Sequence, residues 1–315
     1  MTFRTILITG ALGHIGSRLI HSISQCNDFC TVYLLDNLHT DRYCSLFDLP
    51  NNMNYKFVNT DVRKISEVIF SEKIDIVIHL AAYTNPSISH QDPERFTQHN
   101  LECTESVKEF CLKNKSRLIY ISSTSIYSKS SNYIQENCSS DYISGQTPYA
   151  KSKILEEEIV DNLRKQNNIE AIILRFGTIY GKSKGMRFHT AVNKFCWEAA
   201  MGDTCQVWRT AINQKRPYLD IKDAVNAIYH FASKDIVESG TYNVATDNAT
   251  VGEIIKYISE YKTDIKVKYV DSPIMNDLSY SVSTEKIKSV GFQFTGSLKE
   301  SIHEILDQFR AIEGI

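Results

Sequence analysis

Apolar residues in the first 176 positions keep two alternating rhythms. Ile6 to Ile8, Val32 to Leu35, Lys56 to Val58, Ile76 to Leu80, Leu118 to Ile121 and Ala171 to Leu174 are short aliphatic runs, as expected of strands buried on both faces. Between them the spacing is helical: Ile15, Leu19 and Ile23; Ile65, Val68 and Ile69; Val107, Phe110 and Cys111; Leu155, Ile159 and Leu163. Strand followed by helix, repeated, predicts parallel strands joined by right-handed crossovers, an α/β doubly wound sheet of six strands. Past residue 176 the rhythm breaks into isolated helices, such as the one carrying Ile302, Ile305, Leu306 and Phe309. A second, smaller mixed α/β domain is expected there, mainly over 177–315, with 212–245 returning in part to the first domain, 1–176. The polar stretch Ser128 to Ser144 reads as a mobile surface loop.

The first strand runs directly into Thr9-Gly10-Ala11-Leu12-Gly13-His14-Ile15-Gly16 and then a helix. Gly10 permits the tight turn, Gly13 lets a pyrophosphate approach the helix amides, and Gly16 allows helix and sheet to pack closely. Asp36 ends the second strand 20 residues after Gly16, where a carboxylate accepts from adenosine ribose hydroxyls and repels a 2′-phosphate. That favours NAD over NADP; as an ordinary residue, Asp36 would only cap a turn with Asn37. Asp61, with Val62, follows the third strand as a candidate adenine contact, and Leu12, His14, Ile15 and Asn37 complete the expected cofactor surface.

Ser123 follows the fifth strand, and Thr147-Pro148 opens a helix bearing Tyr149 and Lys153. Four residues apart, these two share a face. An ammonium there favours the phenolate, so that Tyr149 can take a hydroxyl proton while Ser123 holds the same substrate oxygen. Singly, each has a plainer explanation, as a solvated helix face or a turn residue. The order glycine turn, Asp, Ser, Tyr-x-x-x-Lys is far rarer.

Composition narrows the partners. With 35 Lys plus Arg against 37 Asp plus Glu, no global field draws the 315-residue chain to nucleic acid or anionic lipid. The eight cysteines include no Cys-x2-Cys pair and no histidine cluster accompanies them, so they read as buried small hydrophobes rather than metal ligands. No apolar run reaches the roughly 18 residues of a membrane span, and no secretory leader is evident, which points to the reducing cytoplasm.

The glycine turn, Asp36, His79-Leu80-Ala81-Ala82, Asn100, Ile121 to Tyr127, Pro148 to Lys153, Leu174 to Gly181, Arg216 to Asp223 and Gly240 to Val244 together make the chain resemble the extended short-chain dehydrogenase/reductase family, the NAD-dependent nucleotide-sugar epimerases and dehydratases. The resemblance implies a Rossmann-type fold with a C-terminal domain covering a nucleoside-diphosphate sugar. It implies Tyr149 as base, Lys153 on the nicotinamide ribose and Ser123 assisting. Leu80, Ala81, Ala82 and Asn100 join Gly10, Gly13, Gly16, Asp36 and Asp61 around NAD. A homodimer through the helices around 103–113 and 150–166 is also implied.

Departures bear on the substrate. Dehydratases of the family carry Asp-Glu after the Ser or Thr; here Thr124 and Ser125 stand there, and neither is an adequate acid. Thr178 replaces a common Asn, and Ile274, two residues before Asn276-Asp277-Leu278, replaces an Arg that often clamps diphosphate. Arg216 is suited to bidentate phosphate contact. Tyr83, Thr84, Thr124, Thr178, Arg187 and Asn193 are candidate substrate contacts, although a surface Arg and a helix cap would equally explain the last two. Three readings remain open: a nucleotide-sugar epimerase acting at C4, a 4-dehydrogenase or reductase, and a non-catalytic NAD-sensing protein.

Overall fold

In the computed structural model the described residues are 4–25, 29–84, 91–129, 131–167, 169–235, 238–271 and 278–312. In chain order the strands are β1 (Arg4–Thr9), β2 (Phe29–Asp36), β3 (Asn54–Asn59), β4 (Ile76–His79), β5 (Arg117–Ser123), β6 (Ser131–Ile134), β7 (Ala171–Phe176), β8 (Thr178–Tyr180), β9 (Thr204–Trp208), β10 (Lys215–Asp220), β11 (Gly240–Val244), β12 (Asp247–Thr250), β13 (Lys266–Val270) and β14 (Tyr280–Val282). The longer helices are α1 (His14–Ser22), α2 (Pro93–Asn114), α3 (Pro148–Asn167), α4 (Ala191–Ala200), α5 (Ile221–Ala232), α6 (Val251–Tyr261), α7 (Glu285–Ser289) and α8 (Leu298–Asp307).

All six expected strands lie in one parallel sheet, and β11 joins them as a seventh, in the order β11-β7-β5-β4-β1-β2-β3. The order reverses between β1 and β4, and at such a switch point the carboxyl ends of the strands open a crevice. One apolar layer packs β1, β2 and β7 against α1 and α5; the other packs Leu7, Val77, Leu118 and Ile173 against Val107, Cys111 and Leu163 of α2 and α3. A three-stranded sheet, β12-β10-β8, continues from the end of β7. Beyond it, α4, α6 and α8 enclose a separate core around Val192, Ile254 and Ile302.

Several local expectations need correcting. β3 is the edge of the sheet rather than a strand buried on both faces, and Phe57 is exposed. Val62–Glu67 forms 3-10 turns, after which Val68 is extended; Ile69 is therefore 96% exposed, and Phe70 packs between Tyr33 and Phe110 instead. On α3 Leu155 is exposed, and the buried face carries Ser152, Lys153, Glu156 and Glu157 as well as Val160 and Leu163. Ser128–Ser144 is not simply a loop: β6 pairs with β14, and Tyr127 and Ile134 anchor a small core with Tyr280. Cys30 and Cys44 are exposed and Cys138 is half-buried, while Cys103, Cys111, Cys196 and Cys205 are buried as expected; Cys26 lies outside the described residues.

Candidate functional site

A cavity of about 620 Å³ opens at the switch point. Its floor is the glycine turn. Gly10 has φ +65°, and a Cβ there would stand 2.7 Å from the Ala81 nitrogen, so the turn lies flat against the end of β4. Gly13 is the N-cap of α1 and a Cβ there would meet little except its own turn, leaving the helix amides open to the cavity. Gly16 works differently from the expectation: its missing Cβ would strike the Ala11 and Gly10 carbonyl oxygens at 2.5 and 2.6 Å, so it lets α1 close on the preceding turn.

Asp36 lines the cavity and serves the scaffold as well. Its carboxylate accepts from the Leu12 N–H at 3.0 Å and the Leu38 N–H at 2.9 Å, tying the glycine turn to the end of β2. The carboxylate therefore caps the turn and lines the cavity at once. Arg42, six residues on, lines the same wall within the field of Asp36. Asn37 lines the cavity while accepting from the His39 N–H. Asp61 also lines the cavity, where hydrogen bonds from Arg63 hold its carboxyl down at about 2.

Ile15, Val62, Leu80, Ala81, Ala82, Tyr83 and Thr84 also line the cavity. Leu12 does not; it is packed in the core. The His14 ring lines the wall and meets the Gly181 carbonyl through Nε2 at 2.9 Å, and burial, reinforced by Arg187, pulls its pKa down to about 3. As a neutral ring it donates to that carbonyl, and its Nδ1 has no partner among the described residues. Asn100 is buried beneath the site, clamping the Tyr83 backbone at both its N–H (2.8 Å) and its carbonyl (3.1 Å), so it positions the wall. Tyr83 also stacks on His99, centroids 3.9 Å apart.

Tyr149, Ser123 and Lys153 stand outside the cavity lining. Thr147 Oγ1 caps the first turn of α3 by accepting from the Ala150 N–H, which starts the helix just ahead of Tyr149. Tyr149 packs edge-on to Phe96, a lining residue, with centroids 6.4 Å apart, and its phenol lies within the field of Arg187. Ser123 ends β5, its oxygen accepting from the Ser125 N–H at 3.1 Å and its hydrogen left to donate. Lys153 is buried and donates to Tyr120 Oη (3.0 Å), the Ile121 carbonyl (3.3 Å) and Glu156 (3.0 Å). Its three protons are thus engaged, none on Tyr149 and none turned to a nicotinamide ribose, and its coupling to Tyr149 is electrostatic.

The expected substrate contacts differ in freedom. Arg187 reaches Thr84 Oγ1 at 2.9 Å and lines the cavity, and its Nε is buried without a partner among the described residues. Asn193 is fully buried and spends its amide on Gly181 and Arg187 backbone, shaping the loop that carries Arg187. Arg216 lies over the Tyr280 ring at 5.3 Å; Tyr280 Oη donates to the Thr124 carbonyl, and Thr124 itself is buried. Thr178 opens β8, half-buried. Ile274, Asn276 and Asp277 lie outside the described residues.

Sequence reasoning missed Arg42, Phe96 and Glu156. Arg42 and Phe96 are detectable only once chain segments far apart are folded together. Glu156 lies three residues past Lys153, close to the same helix face, but in the run Glu156-Glu157-Glu158 it has the look of a solvated surface.

The model of the NAD dependent epimerase/dehydratase family matches residues 6–245. The chain belongs to that family. Its relatives are enzymes, and NAD is the family's cofactor. Among curated relatives, a dTDP-D-glucose 4,6-dehydratase of Bos taurus is 28% identical over 323 residues, spanning 98% of this chain and 89% of that protein. An ADP-L-glycero-D-manno-heptose-6-epimerase of Brachyspira hyodysenteriae is 24% identical, over 91% and 92% of the two. A UDP-N-acetylglucosamine 4-epimerase from Methanobrevibacter ruminantium shares the fold at TM-score 0.83 and 23% identity, covering 99% of each chain. A UDP-glucuronic acid 4-epimerase variant from Bacillus cereus does so at 0.85 and 21%, over 98% and 99%. Among the described residues no helix is long and apolar enough to cross a membrane.

Proposed function

We propose that this family member is a nucleotide-sugar epimerase that oxidises a sugar hydroxyl, at C4, and reduces the resulting ketone from the opposite face. The observation that carries the reading is the trio of Tyr149 and Lys153 one turn apart on α3 and Ser123 at the end of β5, with Tyr149 edge-on to Phe96 of the glycine-floored cavity. NAD, when bound over Gly10, Gly13, Gly16 and Asp36, supplies a reversible hydride acceptor. Tyr149 takes the hydroxyl proton onto its phenolate oxygen, Lys153 stabilises that charge, and Ser123 donates to the substrate oxygen as it becomes a carbonyl. In the return step Tyr149 gives the proton back. Arg187 and Arg216 are proposed to meet anionic groups of the nucleoside diphosphate sugar.

Although curated relatives are 4,6-dehydratases by name, Thr124 and Ser125 favour epimerisation. Expelling water from a sugar needs an acid and a base beyond the trio, and neither hydroxyl supplies one. We further propose the division into a cofactor domain, 1–176 with part of 212–245, and a mainly substrate-binding domain, 177–315, and a homodimer through α2 and α3, where Leu155 is left exposed.

The test is mass balance. The protein with NAD is incubated separately with UDP-glucose, UDP-glucuronic acid and dTDP-glucose. A product of unchanged mass and altered ring proton couplings, with no net NADH, supports the epimerase. Stoichiometric NADH establishes the dehydrogenase reading, loss of water the dehydratase.

A further inference from the structure

Beneath the trio lies a buried polar cluster that the proposed reaction does not call on. Glu156, on α3, is 1% exposed, and its carboxylate is surrounded by donors: Ser152 Oγ (2.7 Å) and Lys153 Nζ (3.0 Å) from the same helix, Tyr120 Oη (2.9 Å) from β5 and Thr104 Oγ1 (3.1 Å) from α2. Burial opposes its ionisation, yet the Lys153 charge and these hydrogen bonds outweigh burial and hold it below the usual carboxylate range. Glu156 is therefore a carboxylate, and Lys153, raised above its usual range chiefly by that carboxylate against the pull of burial, is an ammonium.

The cluster has an internal order that fixes its protons. Thr9 Oγ1 accepts from the Leu80 and Ala81 N–H groups, so its own hydrogen goes to His79 Nδ1 at 2.8 Å. His79 is then protonated at Nε2, which faces Thr104 Oγ1 at 3.4 Å, and Thr104 donates to Glu156. Every donor in the chain points toward the carboxylate. Burial keeps His79 neutral, and it keeps the Tyr120 phenol and the Cys103 thiol protonated as well. Glu157, the next acid, is matched to Arg175 of β7 at 2.7 Å. The net charge behind Tyr149 is thus zero, one ammonium and one carboxylate in contact, while Arg187 faces the phenol from the cavity side.

We propose that Glu156 is a positioning residue: it fixes the Lys153 ammonium and cancels much of its charge, and so sets the pH at which Tyr149 becomes a base. This rests on the reading of Tyr149 as the proton acceptor. A phenol beside an unopposed buried ammonium ionises too readily to hand its proton back; a neutralised pair leaves it poised for both directions.

The test is titration of one tyrosine in the NAD-saturated protein. The near-ultraviolet phenolate absorbance of the parent minus that of Tyr149→Phe isolates the Tyr149 step, and the same subtraction is made on the Glu156→Gln background. With the carboxylate gone, the Lys153 ammonium, still held by Tyr120 Oη, the Ile121 carbonyl and the field of Glu157, stands unopposed, so the step moves down by about one pH unit. Glu156→Asp, which keeps the charge and withdraws it by one methylene, moves the step the same way by less and serves should the first variant not fold. An unchanged or raised step in the folded variant, or no Tyr149 step below about pH 10 in either background, overturns the proposal. Because the titration needs no substrate, it stands apart from the function: undiminished turnover by Tyr149→Phe would remove the base and leave the charge coupling to be judged on its own.

Discussion

Asp36→Ala separates what this carboxylate does for the fold from what it does for the cofactor. In the protein without nucleotide it removes two acceptors, at 3.0 Å from the Leu12 N–H and 2.9 Å from the Leu38 N–H. Leu12 is 1% exposed, so water cannot replace the lost partner and the orphaned donor costs about 1–3 kcal/mol; Leu38 is only half-buried and loses less. Toward NAD, the loss of charge-assisted bonds to the ribose diol costs about 1.5–3 kcal/mol, or about 10- to 150-fold in affinity. NADP behaves differently. Its 2′-phosphate no longer meets a carboxylate, and Arg42, no longer attracted to Asp36, is available to it, so NADP affinity holds or rises. Asp36→Asn, which retains one acceptor, recovers part of the stability without the charge. Calorimetric titration of both dinucleotides and denaturant melts without nucleotide read the two effects separately. Equal weakening of NAD and NADP would refute the assignment of Asp36 to the ribose, even if stability fell as expected.

Tyr149→Phe should lower kcat by about 10²- to 10⁴-fold while leaving KM and NAD affinity nearly unchanged; a proportionate rise in KM with kcat intact would mean the phenol only binds. Gly16→Ala places a methyl 2.5 Å from the Ala11 oxygen, and urea melts should register a loss of about 1–3 kcal/mol together with weakened NAD binding. Arg175→Met leaves Glu157 buried without its partner and should cost about 3–5 kcal/mol, whereas replacing both residues with apolar side chains should recover most of it. His14 and His79 are held neutral by burial, each lowered to about 3, so the unfolded chain takes up protons that the folded protein refuses once the pH drops below 6.5. Stability should therefore fall between pH 7 and 5 by about 2 kcal/mol for each histidine, and His79→Gln should remove its share of that slope.

The strands were legible because a strand buried on both faces is apolar along its centre, as at Ile6 to Ile8, Val32 to Leu35, Ile76 to Ile78, Leu118 to Tyr120 and Ala171 to Leu174. The glycine turn was legible because a φ of +65° at Gly10 and backbone contact at Gly16 leave no alternative residue. Features whose meaning depends on the third dimension were harder to read. Ile65, Val68 and Ile69 have helical spacing, but the short span between Asp61 and β4 holds only 3-10 turns, and Phe70 fills the gap between Tyr33 and Phe110. Arg42 reaches the cavity only because β2 ends beside the glycine turn.

Helix α3 is the sharpest case, and it reveals why the chemistry resists a hydropathy reading. Its most regular apolar stripe begins with Leu155, which is exposed, while the face turned inward carries Lys153, Glu156 and Glu157. Burying three charges is costly unless each finds an opposite charge and a full set of hydrogen bonds, and here each does: Lys153 with Glu156, and Glu157 with Arg175 and Ser122. A stretch that reads as a solvated surface is therefore buried beneath the proposed reaction centre. The rule that charges face water fails on this helix because Lys153 and Glu156 neutralise one another out of water, and the proposed role of Tyr149 as a base would draw on that pair.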